Sequence, residues 1–391
     1  MPNELNKRPT ESELESAVKR MLDRLDEINT LFITKIAAQV KKIGTLNASS
    51  VNRLVIMADM GADVSEITTR LADAVGLNVR DLTQVYDRVL KDTYADPRFA
   101  VYLQQNPVSV ATQRRLTQYV QSVSVQTAQS LINLSNTTAI SEPYRKAIDT
   151  AVLAVSSGLS DYKSATRDVI EQLGYNGMQV YYASGYHRRL DTAIRQNIID
   201  GANQIAQNAS IMMGEDLGFD AIELSAHARS APDHEPVQGR VFLKSEFQKM
   251  QAGEAFVDVD GHSYTSFKRP IGEWNCMHIA MGFSTQHSVR RYTDGQLRAW
   301  RDANQSGCEI NGKHYTTYKA VQLMRKIETE VRRQKDVAVA ARAADDTELQ
   351  KSCQEKINSL SAYYTQIAQA AKITPRRDRM TVQGFRAYKI N

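Results

Sequence analysis

The feature that most restricts the fold is a regular apolar seam near the N-terminus. Apolar residues recur in steps of four and three, the spacing of a helix face that packs on another helix. Thr10 and Glu13 have the spacing of a capping box, so we expect a helix over residues 10–43. The seam must lie against a helix of this chain or of a partner, and we expect a partner protein or a sister copy. Its residues are Leu14, Val18, Met21, Leu25, Ile28 and Phe32.

Most of the chain has helical periodicity, but a stretch from about 175 to 290 does not. Further helices are predicted over 49–60, 64–75, 79–93, 109–138, 142–157, 161–173, 187–213, 317–344 and 346–371. Strand patterns occur at 177–185, 219–225, 241–242 and 256–264, the last with a hairpin turn at Asp260–Gly261. We therefore predict an α+β protein that is predominantly α-helical. Long helical arms flank a small irregular β-containing module at about 175–290.

These changes of pattern divide the 391 residues into four regions. Residues 1–108 form an N-terminal helical region with the coiled-coil-like seam, and 109–174 a helical connector. Residues 175–290 form the α+β module. Residues 291–391 form a basic helical hairpin and tail.

Composition and the N-terminus exclude several classes of protein. The apolar share of 42% and the charged share of 24% are typical of a globular protein. There is no run of about 18 apolar residues, so no membrane partner is expected. Residues 1–9 lack the apolar segment of a secretory signal. Three scattered cysteines do not make a disulfide framework.

Positive charge is concentrated at the C-terminal end. From residue 290 onwards there are 20 Lys and Arg against 11 Asp and Glu, whereas the first 289 residues carry 29 against 33. Such a basic end favours a polyanionic neighbour, although a solvated helical face would look the same. The cations that we expect to face nucleic acid are Arg376, Arg377 and Arg379.

Rare polar side chains are concentrated between residues 225 and 289. Five of the seven histidines and one of the three cysteines lie there. A set of four, His227, His234, Cys276 and His278, has the donor atoms of a tetrahedral zinc site, so zinc is one hypothesis. The other is a structural polar cluster held by ordinary hydrogen bonds, which we favour, with no cofactor. The cluster consists of His227, Arg229, His234, Gly239, Arg240, Trp274, Asn275, Cys276 and His278.

A metal-dependent hydrolase or nuclease is the alternative enzymatic hypothesis. Asp233 or Glu235 would then act as the base on a metal-bound water. The sequence contains neither a Walker-type phosphate loop nor a Gly-x-Ser-x-Gly elbow. We therefore expect a protein that is not an enzyme.

Two motifs of the module resemble a known family. They are the stretch from Ser225 to Arg229 with Pro232-x-His234-x-x-x-Gln238-Gly239-Arg240, and Trp274-Asn275-Cys276-x-His278. Together with the charged helices and the basic end, they resemble the tailed-bacteriophage minor capsid proteins of Gram-positive hosts (the minor capsid protein 2 type). That family is related to the Mu F-like head morphogenesis proteins. The resemblance spans most of the chain.

The resemblance implies a viral structural protein that takes part in head morphogenesis. Such a protein lies in the virion, inside the head or at the portal vertex, and in the host cytoplasm during assembly. Its partners are the portal protein, other head proteins and packaged DNA, and it assists assembly, DNA packaging or ejection. A third hypothesis is an internal head protein that binds DNA without sequence specificity. It predicts salt-sensitive DNA retention that disappears when the segment after Arg290 is deleted.

Overall fold

The computed structural model describes most of the chain. The described residues are 11–43, 63, 65–74, 79–95, 107–136, 138–139, 162–182, 184–265, 269–272 and 276–389. The predicted helices at 49–60 and 142–157 lie outside them, as do Thr10, Trp274 and Asn275.

Nine helices with defined ends and ten short strands among the described residues confirm a predominantly helical α+β fold. The helices are α1 (Glu11–Ile43), α2 (Val79–Tyr94), α3 (Val110–Asn136), α4 (Tyr162–Asn176), α5 (Leu190–Asp216), α6 (Lys244–Ala252), α7 (Asp294–Ser306), α8 (Thr317–Ala343) and α9 (Thr347–Ala370). Residues 65–74 are also helical. The strands are β1 (Thr138–Ala139), β2 (Gln179–Tyr181), β3 (His187–Arg189), β4 (Ala221–Leu224), β5 (Val241–Leu243), β6 (Phe256–Val257), β7 (Ser263–Tyr264), β8 (Ala280–Phe283), β9 (Cys308–Ile310) and β10 (Lys313–Tyr315).

Helix α5 is enclosed by several other elements. Apolar side chains occur on several of its faces and are buried, because α1, α2, α3 and strand β8 all contact it. A helix that is apolar on many sides is stable only when it is enclosed in this way. One continuous core therefore includes side chains from α1, α2, α3, α5 and the helical hairpin α8–α9.

The N-terminal seam is packed inside the chain. Its described members Met21, Leu25, Ile28 and Phe32 are between 0% and 7% exposed and belong to the main core. Their neighbours are helices α4, α5 and α8 of the same chain. The expectation of a partner on this face is therefore corrected for these four residues, since an intramolecular core already covers them. The side chains of Leu14 and Val18 lie outside the described set.

Helix α4 continues past Gly174, where the sequence predicted a stop, and ends at Asn176. Gly174 has a packing role instead. A Cβ placed on it would lie 2.4 Å from the Cα of Val337 in α8. The missing side chain allows the two helix backbones to approach each other closely.

The predicted helix start at His187 also requires correction. Residues His187–Arg189 form strand β3, which pairs antiparallel with β2, and α5 begins only at Leu190. Gly185, at a φ of +80°, makes the turn between the two strands. The sequence pattern missed this hairpin because three residues are too few to show a strand period.

A second small sheet supports the polar cluster. Its strand order is β5–β4–β8, and all its pairs are antiparallel. Strand β4 is completely buried, and β8 lies on α5, where Ser210 Oγ accepts a hydrogen bond from the Gly282 N–H at 3.1 Å. The predicted hairpin at Asp260–Gly261 corresponds to the antiparallel pair β6–β7.

The C-terminal helical hairpin corresponds to α8 and α9. Helix α8 also packs on α1 and α4, so the hairpin contributes to the main core as well as to a smaller core with β9 and η1 (Arg377–Met380), a 3₁₀ turn. No helix among the described residues is both long enough and apolar enough to span a membrane.

Candidate functional site

The loop between β4 and β5, residues 225–240, brings two of the four candidate ligands into the module. Its base is closed by hydrogen bonds between the backbones of Leu224 and its partners Gly239 and Arg240, at 3.1 and 2.9 Å. Inside the loop, tight turns over 231–240 place His234 on the inner side, where it is 1% exposed. Backbone hydrogen bonds within the loop, and those between its ends and strand β4, therefore hold its conformation.

The other two candidate ligands come from the segment just before β8. Ser225 and Ile279 are joined by two hydrogen bonds, from the Ser225 N–H to the Ile279 carbonyl at 2.9 Å and from the Ile279 N–H to Ser225 Oγ at 2.8 Å. This pairing extends the contact between β4 and β8 and holds Cys276 and His278 against the loop.

His234, Cys276 and His278 form one compact group. The Cys276 Sγ lies 3.3 Å from His234 Nδ1 and 3.6 Å from His278 Nδ1. All three side chains are at most 2% exposed, and their ligand atoms lie within 4.8 Å of one another. The structure therefore brings together three of the four side chains that the zinc hypothesis named.

His227, the fourth, lies beside this group and is not part of it. Its ring stacks on that of His278, with the centroids 4.5 Å apart and the planes inclined by 24°. Its backbone N–H donates to Gln238 Oε1 at 3.0 Å. His227 thus covers one face of the His278 ring.

Hydrogen bonds to the Nε2 atoms of His234 and His278 show which nitrogen of each ring has a lone pair facing the Cys276 thiol. His234 Nε2 is 2.8 Å from the Arg269 carbonyl, which can only accept, so Nε2 carries the proton. Gln238 Oε1 accepts from the His227 N–H and lies 3.3 Å from His278 Nε2, so that nitrogen is also a donor. In the neutral rings, both Nδ1 lone pairs therefore point towards the Cys276 sulfur.

Burial sets the protonation of the group. It lowers the pKa of His234 and raises the pKa of the Cys276 thiol, because a low-dielectric surrounding disfavours the charged form of each. At neutral pH His234 is therefore a neutral imidazole and Cys276 a protonated thiol.

Two partners of the cluster, Ser230 and Arg269, were missed by the sequence reasoning. Ser230 Oγ is 3.3 Å from His278 Nε2, and the Arg269 carbonyl orients His234. A backbone carbonyl leaves no residue-type signal, so the second could not have been found from the sequence.

The other described members of the predicted cluster lie away from the thiol. Arg229 is exposed, and Gly239 lies against Leu297 of α7. Arg240 forms ion pairs with Asp294 at 3.1 Å and Asp260 at 3.5 Å. These positions brace the module surface and do not contact the thiol.

Asp258, Asp260 and His262 form a second group with potential ligand atoms. Asp258 accepts hydrogen bonds from the N–H groups of residues 260 and 262, and from Tyr264 Oη at 2.8 Å. These bonds hold the β6–β7 turn. Cations from Arg240 and Arg290 already face Asp260, so we interpret this group as a structural turn.

The two carboxylates of the hydrolase hypothesis are engaged in ion pairs. Asp233 binds the Arg269 guanidinium at 3.1 Å, and Glu235 binds that of Arg301 at 2.6 Å. A general base must be able to reach the water that it deprotonates. The described geometry therefore favours a structural cluster over a catalytic one.

The three cations assigned to nucleic acid differ in their surroundings. Arg376 pairs with Asp378 at 2.9 Å, and Arg379 lies 3.9 Å from Glu328 with 13% of its side chain exposed. Arg377 is exposed, although it donates to Thr365 Oγ1 at 3.0 Å. Only Arg377 among the three presents a largely accessible charge.

Comparison with known proteins identifies a family. A family model described as phage minor capsid protein 2 matches residues 10–367, which is most of the chain. Neither the curated proteins nor the solved structures contain a match. The matched region extends from the start of α1 into α9 and includes both segments of the polar cluster, and so the chain belongs to the phage minor capsid protein 2 family.

Proposed function

We propose that this protein associates with the portal vertex inside the phage head, where it assists assembly, DNA packaging or ejection without catalysing a reaction. Family membership itself gives it a structural role in the virion among other head proteins. The finer assignment is supported by an accessible basic surface at one end of the α8–α9 hairpin, which suits a place beside packaged DNA.

This basic end consists of exposed cations on elements that share one small core. Helix α8, helix α9, the β9–β10 hairpin and the turn η1 surround that core. Exposed acidic residues on these elements, which include Glu309 and Asp378, are outnumbered by exposed cations. The cations of the basic end are Lys313, Lys319, Arg325, Lys326, Lys372 and Arg377.

A surface of this kind binds nucleic acid through phosphates. Lysine and arginine on helical surfaces neutralise phosphate charge and release counterions, so affinity falls as salt rises. No base-reading element is needed for this contact. Such binding suits a protein that must tolerate any packaged sequence.

DNA retention at increasing salt tests the role of the basic end. Affinity for DNA falls as salt rises, and each phosphate contact contributes about 0.9 to the steepness of log affinity against log salt. We expect the triple variant Lys326→Glu, Lys372→Glu, Arg377→Glu to make this dependence less steep by about 2–3. The matched control carries the same charge changes at exposed cations of α2, Arg80, Arg88 and Lys91. Equal slopes for both triple variants would contradict the assignment.

The position in the particle needs a separate measurement. Asymmetric cryo-electron microscopy of full heads is expected to show this protein at the portal vertex, on the inner side. Protease added to intact heads should cleave it only after DNA release. Density on the outer shell, or at all vertices, would overturn the proposal whatever the DNA result.

Deletion of everything after Arg290 is not a usable test of DNA binding. Helix α8 contributes Val337 and neighbouring alanines to the main core, so the truncated chain would lose part of its fold. Charge reversal at the basic end avoids this problem because those side chains are exposed.

A further inference from the structure

We propose that His234, Cys276 and His278 bind a zinc ion that joins the 225–240 loop to the segment preceding β8. The ligand atoms are His234 Nδ1, Cys276 Sγ and His278 Nδ1. This inference is independent of the position of the protein in the head.

The distances between the donor atoms fit a tetrahedral ion. Zinc binds thiolate sulfur at about 2.3 Å and imidazole nitrogen at about 2.0–2.1 Å, which at a tetrahedral angle separates S from N by about 3.5 Å. The two observed S–N distances are 3.3 and 3.6 Å. Both differ from the tetrahedral value by no more than about 0.2 Å.

The direction of the lone pairs is the second observation. Both Nδ1 atoms face the same sulfur, because the Nε2 atoms of His234 and His278 donate to the Arg269 carbonyl and Gln238 Oε1. A zinc ion binds both nitrogens and the sulfur together once the thiol proton is released to solvent. This shared direction is the one that a metal bound to all three atoms requires.

The outer partners of the imidazoles match those of known metal sites. A metal-bound histidine almost always donates its second N–H to a carbonyl, carboxylate or water, which fixes the ring. Here a backbone carbonyl and an amide oxygen serve this purpose, at 2.8 and 3.3 Å. Two nitrogens and a sulfur also select zinc over the oxygen-preferring Mg²⁺ and Ca²⁺.

The ion would join two parts of the chain. The ligands come from two segments separated by about 40 residues, and each is almost fully buried. A metal bound to these ligands would stabilise the contact between the 225–240 loop and the segment before β8. The site exists only in the folded chain, so the free energy of metal binding adds to the free energy of folding.

Metal content of the full-length protein purified from zinc-supplemented cells is the first test. Elemental analysis is expected to give about one zinc per chain, and Cys276→Ser and His234→Phe should each lose it. Cys308→Ser is the matched control, because Cys308 is also a buried thiol but lies in another core. It should retain zinc.

His227→Phe separates a ligand from a packing partner. An aromatic ring can keep the stack on His278, so this variant should retain zinc, unlike His234→Phe. Loss of zinc from His227→Phe would overturn the three-ligand assignment. Gln238→Ala, which removes the acceptor that orients His278, should weaken zinc binding about 10–100-fold.

A spectroscopic test on the wild-type chain does not depend on the folding of any variant. Replacement of zinc by Co²⁺ should produce the near-ultraviolet absorption of a cobalt–thiolate bond and the visible bands of a tetrahedral ion. Absence of these bands, with no zinc in the purified protein and no rise in Tm on zinc addition, would overturn the proposal.

Discussion

At the scale of single residues, Asp336 in α8 is a buried charge that is held by hydrogen bonds from two other elements. It is fully buried, and it accepts hydrogen bonds from Arg189 Nη1 at 2.7 Å and Asn29 Nδ2 at 3.4 Å. Arg189 also binds Asp191, which in turn binds Arg332. This network links β3, α1, α5 and α8.

Replacing Asp336 by Ala should lower the free energy of unfolding by about 3–5 kcal/mol, because it leaves the buried Arg189 without its main counter-charge. Urea denaturation measures the change. Asp378→Ala is the control, since Asp378 has 62% of its side chain exposed in its pair with Arg376. We expect that control to cost at most about 1 kcal/mol, and similar losses in both variants would contradict the argument.

Asp26 in α1 should make stability depend on pH. Burial raises the pKa of its carboxyl from 3.8 to about 6, although the Gln383 N–H donates to it at 2.6 Å. A carboxyl with a raised folded pKa favours folding fully below pH 3.8, and this contribution is lost as pH rises through 6. The charged groups that face it are Arg332, Lys335, Asp191 and Asp336.

Asp26→Asn should remove that pH dependence and stabilise the protein above pH 7 by about 1–2 kcal/mol, allowing for partial exposure of the side chain. Urea midpoints at pH 4.5 and pH 7.5 measure it. The amide oxygen can still accept from the Gln383 N–H, so the docking contact is retained. Identical pH profiles for the wild type and the variant would contradict the prediction.

At the scale of elements, the contact between α4 and α8 depends on Gly174. Ala at this position would place a methyl group 2.4 Å from a backbone atom of α8, which cannot move aside as a side chain can. Gly174→Ala should therefore lower the free energy of unfolding by about 1–3 kcal/mol, despite the better helix propensity of Ala.

Gly295→Ala in α7 is the matched control. Its nearest neighbour would be Thr293 Oγ1 at 3.8 Å, an ordinary contact. The substitution should be neutral or stabilise by about 0.4–1 kcal/mol, since Ala restricts the unfolded chain. Thermal unfolding compares the two, and equal effects would show that helix contact is not the cause at Gly174.

At the scale of the whole molecule, the last described residues tie the C-terminus to the N-terminal helix. Gln383 bonds to Asp26, and its carbonyl accepts from Thr30 Oγ1 at 2.8 Å. Arg342 donates to the Gly384 carbonyl at 2.8 Å, and the Tyr388 N–H donates to Gln354 Oε1 at 3.1 Å in α9. The segment thus holds α1 against the helical hairpin.

Deleting residues 381–391 should cost about 2–4 kcal/mol, because each lost hydrogen bond contributes about 1 kcal/mol. Urea denaturation of the truncated chain provides the value. The variant Arg386→Ala, Lys389→Ala removes two exposed cations but keeps the backbone contacts, so it should unfold like the wild type. A stable truncated chain would show that the tail does not clamp α1.

The sequence by itself determined the helical character, the seam of α1, the α8–α9 hairpin and the membership of a minor capsid family, because periodicity and motifs are local properties. Tertiary structure alone decided that the described seam is internal, that Gly174 is a packing position, and that Arg376 and Arg379 are paired. It also selected three of the four proposed zinc ligands. These outcomes depend on which distant segments meet, and spacing along the chain does not encode the distance between segments separated by a loop.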